Sequence, residues 1–163
     1  MILKSSIVFI GIILFIVLEG LFPKQKNNLK NKLHRLGKNI FFWLINIGIT
    51  PIIILPITIA ATQIEIHPYF KFENLIIGFI FQLLIIDLFL YWWHRLNHEI
   101  PLLWRFHHVH HLDETLDVSS GVRFHFGEVI LSALVRSAII ILFNISLVNL
   151  LLIEAIIILS SIF

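Results

Sequence analysis

The sequence contains no cysteine. A chain without thiols cannot form a disulfide framework, ligate an iron–sulfur cluster or use a thiolate as a catalytic nucleophile. Every function that depends on cysteine sulfur is therefore excluded.

Charged residues are also scarce. They make up 13% of the chain, against 58% for hydrophobic residues, whereas a soluble domain has roughly 25% charged residues. So little polar surface could not cover a soluble globule, and a lipid bilayer is the natural solvent. The length of 163 residues allows one compact unit, so we treat residues 1–163 as a single domain. The predicted fold class is all-α: an integral membrane helical bundle with a cytoplasmic histidine-rich helical cap.

Long apolar runs are abundant. A helix crosses the hydrocarbon core with about 20 mostly apolar residues, and the candidate spans are residues 5–22, 40–62, 75–93 and 129–163. The first is not followed by a signal-peptide cleavage site, so it is interpreted as a membrane segment. The last is too long for one span and is interrupted by Asn144, which favours a hairpin of two helices.

Half of the twelve basic residues lie in one segment between the first two spans. They are Lys24, Lys26, Lys30, Lys32, Arg35 and Lys38. The positive-inside rule places this segment in the cytoplasm, and the third span then returns to the cytoplasm near Trp93. The histidine-rich segment 94–128 is therefore predicted to be cytoplasmic, in a bacterial inner membrane or the endoplasmic reticulum. A nucleic-acid partner is not expected, because a basic segment between two membrane spans is explained by topology.

Histidines are concentrated in one part of the chain. Seven of the nine lie between His94 and His125. In HRLNH, His94 and His98 are four residues apart, which puts both imidazoles on one face of a helix. Such a pair is common on protein surfaces and is weak evidence for a metal site.

The stretch RFHHVHH adds a second set. His107, His110 and His111 have i, i+3, i+4 spacing, which is again one helical face, whereas His108 points about 100° away from His107. Pro101 suits the first position of a new helix, so a short corner would separate the two histidine faces.

Two helices that meet at such a corner can direct five imidazoles at a common volume. A solvated, pH-sensitive basic stripe would not explain helical spacing that occurs twice, so the pattern favours a metal site. Imidazole suits zinc, copper, iron and nickel. Five histidines without sulfur exceed the four ligands of a structural zinc site and fit a two-metal site with open positions. At a membrane surface, such a site suits activation of dioxygen against a lipid C–H bond.

Three motifs, HRLNH, RFHHVHH and RFHFGE, occur in order between His94 and Glu128. In this arrangement the chain resembles the fatty acid hydroxylase/sterol desaturase superfamily. The resemblance implies an integral membrane, non-haem di-iron oxidoreductase that hydroxylates or desaturates a lipid, such as a fatty acid or a sterol, as a step in lipid biosynthesis. It also implies O2 as co-substrate and an external electron donor, a cytochrome b5-like or ferredoxin-like partner.

The resemblance assigns roles to the histidines. His94 and His98 would be the first ligand pair, and His107, His110 and His111 the HxxHH triad, with His108 at a variable position. No catalytic residue beyond these metal ligands is expected.

Four further residues are predicted to lie close to the site without ligating the metal: Asp87, His108, His125 and Glu128. Asp87, an acid in the third span, would face protein and either orient a ligand histidine or bond to another helix. His125 and Glu128 belong to RFHFGE, and His125 would lie near the metals or hold the polar loop before it. Arg136 is predicted to pair with Glu154 across the hairpin.

By the same resemblance, a QHxN-like segment and a final HxxHH would follow the hairpin and complete the ligand set. The sequence ends at Phe163 before them, so we expect the chain as written to be truncated and inactive alone. Two alternatives stay open: a bis-histidine membrane haem protein that carries electrons, and a non-catalytic metal-binding membrane protein left by truncation.

Overall fold

A computed structural model describes residues 2–22, 29–64, 66, 72–113 and 118–162. All regular secondary structure in these residues is helical, with no strand among them. The predicted all-α class is therefore confirmed.

The first half of the chain supplies three α-helices. These are α1 (Ile2–Leu21), α2 (Leu29–Ile49) and α3 (Leu55–Gln63). A π-helical turn, Thr50–Ile54, joins α2 to α3 and contains Pro51. Proline has no N–H to donate and its ring crowds the carbonyl four residues earlier, which accounts for the wider turn at this position.

Helices α4 (Leu75–Glu99) and α5 (Pro101–His111) form the corner that carries the histidines. Helix α4 is capped by Asn74, whose side chain accepts from the backbone N–H groups of Ile76 and Ile77 at 2.9 and 3.1 Å. It extends six residues beyond the predicted span. Ile100 then adopts an extended conformation, and Pro101 starts α5 as predicted.

The chain continues through a 3-10 turn, Val118–Val122, into α6 (Phe126–Leu142) and α7 (Leu147–Ile162). Between α6 and α7, Asn144 has a positive φ of 49°, a conformation that asparagine tolerates better than most residues. Arg136 of α6 and Glu154 of α7 form a salt bridge of 2.8 Å. The predicted pairing of these two residues is confirmed.

The buried core lies where α3, α4, α6 and α7 meet. Its fully enclosed members are aliphatic side chains: Ala61, Ile86, Ile140, Ile145, Leu150 and Ile153. Helix α3 packs on α6, and α1 packs on α7. The outward faces of the helices expose many isoleucine, leucine and phenylalanine side chains, which suits contact with lipid.

Two helical segments are long and apolar enough to cross a membrane, Leu33–Gln63 and Leu75–Glu99. Ile10–Glu19 and Leu147–Ser160 are apolar but shorter. The predicted spans 40–62 and 75–93 lie within the two long segments. The predicted spans 5–22 and 129–163 correspond to α1 and to α6 with α7.

Candidate metal centre

Four imidazoles converge at the corner between α4 and α5. They belong to His94, His98, His107 and His111, and one nitrogen of each lies within 4.8 Å of one nitrogen of every other. Each ring has at least two others within a centroid distance of 4.9 Å. Metal–imidazole bonds are about 2.0–2.1 Å long, so small side-chain adjustments would bring these nitrogens around one ion.

The local sequence explains this convergence. His94 and His98 are one turn apart on α4, and their Nε2 atoms are 3.1 Å apart. His107 and His111 are one turn apart on α5, and their Nε2 atoms are also 3.1 Å apart. The extended backbone of Ile100 turns the second helix so that the two pairs face each other.

Glu128, a residue in the first turn of α6, fixes the orientation of the His107 ring. A carboxylate oxygen of Glu128 lies 2.7 Å from Nδ1 of His107, and both residues are buried, with exposures of 6% and 1%. The carboxylate accepts the Nδ1–H hydrogen bond, which leaves the Nε2 lone pair directed at the other rings. Carboxylates often orient metal-binding histidines in this way.

Two histidines of α5, His110 and His111, are held in the neutral form. Burial and then the charge of neighbouring imidazoles, His107 first, lower the pKa of His111 to about 4. Burial and the charge of His107 also lower the pKa of His110. Near pH 7 these rings are therefore unprotonated, which is the form that binds a metal ion.

His110 lies beside the four-ring cluster and outside it. Its ring stacks on Phe124 with a centroid distance of 4.6 Å and an interplanar angle of 6°. Its Nδ1 is buried and, like Oε2 of Glu128, has no hydrogen-bond partner in the described part of the chain. Two buried atoms of metal-ligand type thus remain unsatisfied beside the cluster, and the ligand role of His110 stays a prediction.

Trp104 covers one side of the cluster. Its ring lies 5.2 Å from His98 and 5.6 Å from His111. His108 is exposed on the outer side of α5, where its ring contacts Trp104 at 5.2 Å. The helical-face argument anticipated this position for His108.

His125 caps α6. Its Nδ1 accepts the backbone N–H of Gly127 at 3.0 Å, and its ring stacks on Phe126 at 4.3 Å. These contacts fix the start of α6, and His125 lies outside the four-ring cluster. Both roles anticipated for His125 stay predictions.

Asp87 lies two turns before His94 on α4, yet its side chain is exposed, and among the described residues it forms no ion pair with a ligand histidine. The buried stripe of α4 includes Gln82, Ile86 and Trp93, and Asp87 projects about 100° away from Ile86. The expected role of Asp87 beside the site therefore stays a prediction.

A buried polar network lies beside the cluster and was not predicted from the sequence. Asp113, two residues after His111, accepts hydrogen bonds from Asn39 at 3.1 Å and from Ser120 at 2.7 Å. It also lies 3.2 Å from the Arg35 guanidinium. The network ties α2 to the end of α5. The only sequence signal was an acid close to the histidines, which does not identify a partner more than 70 residues away.

A model of the fatty acid hydroxylase family matches residues 79–163, slightly more than half of the chain. This chain belongs to the fatty acid hydroxylase family. No curated protein and no solved structure matches it significantly. The resemblance found in the three histidine motifs is thereby confirmed.

The segment that matches the fatty acid hydroxylase family contains the four clustered histidines, His110 and Glu128. Membership implies an oxidoreductase of the lipid hydroxylase type that depends on iron. The residues present fit an iron ion. Four imidazole nitrogens converge, and a carboxylate orients one of the four rings. Two span-length apolar helices and the family together indicate a membrane protein.

Proposed function

We propose that this protein is a membrane-bound di-iron oxidoreductase that hydroxylates or desaturates a lipid with O2 and an external electron donor. The observation that carries the proposal is the convergence of His94, His98, His107 and His111 at the end of a span-length helix. Iron bound by these rings would supply the activation of dioxygen for attack on a lipid C–H bond.

The position of the cluster supports a lipid substrate. Helix α4 is apolar along most of its length and reaches His94 one residue after Trp93. A donor set that begins where an apolar helix ends lies close to the acyl chains of a bilayer. Trp104 packs against His98 and His111, while His94, His98 and His111 remain partly open to solvent.

A second iron would need donors beyond the four rings. The unsatisfied Nδ1 of His110 and Oε2 of Glu128 are the nearest candidates in the described residues. We therefore propose both as contributors to a two-metal site, with His110 turning from its stack on Phe124 when it binds.

The side of the membrane is part of the same proposal. The basic segment between residues 24 and 38 favours the cytoplasm for the start of α2. Because α2 with α3 and then α4 each have span length, the end of α4 returns to that side. The histidines would then be accessible to a cytoplasmic electron donor of the cytochrome b5 or ferredoxin type.

The packing of the four rings does not favour the haem alternative. A bis-histidine haem needs a flat macrocycle between two axial rings. Here the rings contact one another, with centroid distances of 4.7 to 4.9 Å for five of the six pairs. None of those pairs is separated by the space that a porphyrin requires.

The test begins by sequencing the transcript past the codon for Phe163, so that the whole translated product is assayed. The protein is purified in detergent, loaded with Fe(II) and assayed for bound iron, O2 consumption and oxidised lipid products. Two irons per chain and O2-dependent lipid oxidation are expected. Separate alanine substitutions of His94, His107 and His111 should abolish both iron binding and lipid oxidation.

His108→Ala is the matched control, because His108 is on the same helix but faces solvent, and its variant should keep iron and turnover. Iron binding without oxidation of any lipid would support the non-catalytic metal-binding alternative and overturn the proposed enzyme. A Soret band in the purified protein would support the haem alternative instead.

A further inference from the structure

A groove of about 410 Å³ lies on α2, at the start of the apolar segment Leu33–Gln63. It is lined by Leu33, His34, Gly37, Lys38, Phe41 and Phe42. None of these residues belongs to the histidine cluster or is used in the proposed oxidation.

The groove is polar at one end and apolar at the other. His34 and Lys38 are one turn apart, and Phe41 and Phe42 follow about one turn later, further into the apolar segment. Gly37 lies between the two ends, and a Cβ added there would meet no atom within 4 Å. The missing side chain leaves the groove open.

The polar end of the groove carries the positive charge of Lys38. Lys38 has no acidic partner among the described residues, whereas the neighbouring cation Arg35 is paired with the buried Asp113. His34 adds an imidazole that can donate a hydrogen bond. An anionic oxygen close to Lys38 would therefore be favoured.

A ligand that fills the whole groove must also cover its apolar end, which a soluble anion cannot do. Phe41 is 60% exposed, and an inorganic anion at Lys38 would leave it in water. Because the groove lies where an apolar segment begins, head groups would lie beside Lys38 and acyl chains beside Phe41.

We propose that this groove binds one phospholipid with a negatively charged head group. Lys38 and His34 hold the phosphate, and the first part of an acyl chain lies over Gly37 against Phe41 and Phe42. The volume lies within the range of small-molecule pockets, roughly 300–1,000 Å³. Phe42 is half-buried and its ring lies 6.4 Å from that of His125, so a bound lipid would pack next to the segment that leads into α6.

The experiment uses the purified protein in nanodiscs that contain equal amounts of phosphatidylglycerol and phosphatidylcholine. Native mass spectrometry then counts the lipids that stay bound after release. One phosphatidylglycerol per chain is expected, and excess inorganic phosphate should not displace it. Lys38→Gln should lower its retention about fivefold, the typical effect of one lysine near an anionic lipid surface.

Gly37→Leu fills the groove without removing a charge and should abolish retention. Gly48→Leu is the matched control, since Gly48 is on the same helix and also has no atom within 4 Å of an added Cβ. Both changes replace glycine by a better helix former, so circular dichroism should show helix content at least equal to that of the unchanged protein.

Equal retention by the Gly37→Leu and Gly48→Leu proteins would overturn the proposal, because the loss in Lys38→Gln would then reflect general attraction to an anionic surface. Displacement by inorganic phosphate would also overturn it, since the acyl chain would then contribute nothing. Iron content and lipid oxidation are measured on the same samples. These readouts test the proposed function separately, because no residue of the groove touches the metal centre.

Discussion

The contact between Glu128 and His107 shows how a single side chain can prepare a metal ligand. The carboxylate selects the tautomer of His107 and prevents its ring from rotating. The other three rings of the cluster are more exposed and lack an equivalent carboxylate contact in the described residues. His107 is therefore the fixed member of the set, around which the other ligands can adjust.

Substituting Glu128 should weaken iron binding more than it weakens folding. Glu128→Gln keeps an oxygen that can accept from Nδ1 but removes the negative charge that makes His107 a stronger ligand. Loss of such a partner typically costs 10- to 100-fold in metal affinity. Titration of Fe(II) against a competing chelator measures the change.

The control for this substitution is Glu73→Gln, the same chemical change at an exposed site before α4. It should bind iron as the unchanged protein does. If Glu128→Gln also binds iron normally, the contact with His107 serves packing alone.

The metal-free protein should lose stability as the pH falls from about 6.5 towards 4. The pKa of His111 is lowered from 6.5 to about 4 in the folded state, so over this interval the unfolded chain binds a proton that the folded chain does not. The stability of the folded protein therefore rises with pH between about 4 and 6.5. Above pH 6.5 the contribution of His111 is constant. Thermal unfolding in detergent at a series of pH values measures the effect.

His111→Gln should flatten this pH dependence, because glutamine does not titrate. His108→Gln, at an exposed position on the same helix, should keep the slope. An unchanged slope in the His111→Gln protein would show that other groups cause the acid sensitivity.

Sequence spacing predicted which histidines share a face, because i, i+4 neighbours meet on any helix. It could not show that His110 stacks on Phe124, since that contact depends on how the segment before α6 returns to α5. For the same reason the partner of Glu128 was not predictable: the residue is 21 positions from His107, and only the packing of α6 brings them together.

At the scale of helices, the Asp113 network anchors the end of α5 to α2. The Asp113 carboxylate is inaccessible to solvent, and the Arg35 side chain is 14% exposed. Asn39 is fully buried and contacts both Asp113 and Ser119. This anchor lies two residues from His111, so it holds the helix end that presents that ring to the cluster.

Asp113→Ala should destabilise the protein by about 3–5 kcal/mol, because it removes one half of a largely buried ion pair with Arg35. Denaturant unfolding in detergent measures the loss. The double variant Arg35→Met/Asp113→Leu should lose less than the sum of the two single variants, since it removes both charges together. Strict additivity would show that the two residues do not depend on each other.

The elements themselves were largely predictable. Apolar length and Pro101 indicated where helices run, and the hairpin explained why Arg136 and Glu154 meet. The Asp113 network was not predictable, because sequence periodicity describes each helix separately. Nothing in it indicates that α2 passes next to the loop after α5.

At the scale of the whole molecule, the two span-length segments determine the topology. The first begins near the basic residues and ends at Gln63, and the second runs from Leu75 to Glu99. If both cross the bilayer, Gln63 and Glu99 lie on opposite sides.

Single cysteine substitutions test this arrangement without background, because the chain has no cysteine of its own. Glu99→Cys and Gln63→Cys change exposed residues at the ends of the two segments. In intact cells a membrane-impermeant maleimide should label Gln63→Cys, whereas Glu99→Cys should react only after the membrane is opened. Labelling of both in intact cells would contradict the proposed topology.

Hydropathy predicted a membrane protein, but it did not predict which helix faces are covered. Asp87 illustrates the gap. An acid inside an apolar helix was expected to face protein because burying its charge in lipid is costly, yet the described helices leave it exposed. Which face of a helix is covered depends on how all the helices pack together. The sequence pattern of one helix does not give that information.

The uneven exposure of the four rings has a kinetic consequence. His107 is 1% exposed and already fixed by Glu128, whereas His94, His98 and His111 are open to solvent. An incoming ion would meet the exposed outer rings before it reaches the innermost nitrogen, and a departing ion would exchange those rings for water one at a time. Iron should therefore bind and dissociate quickly through the exposed rings. The iron content of a sample would then depend on its recent exposure to a chelator.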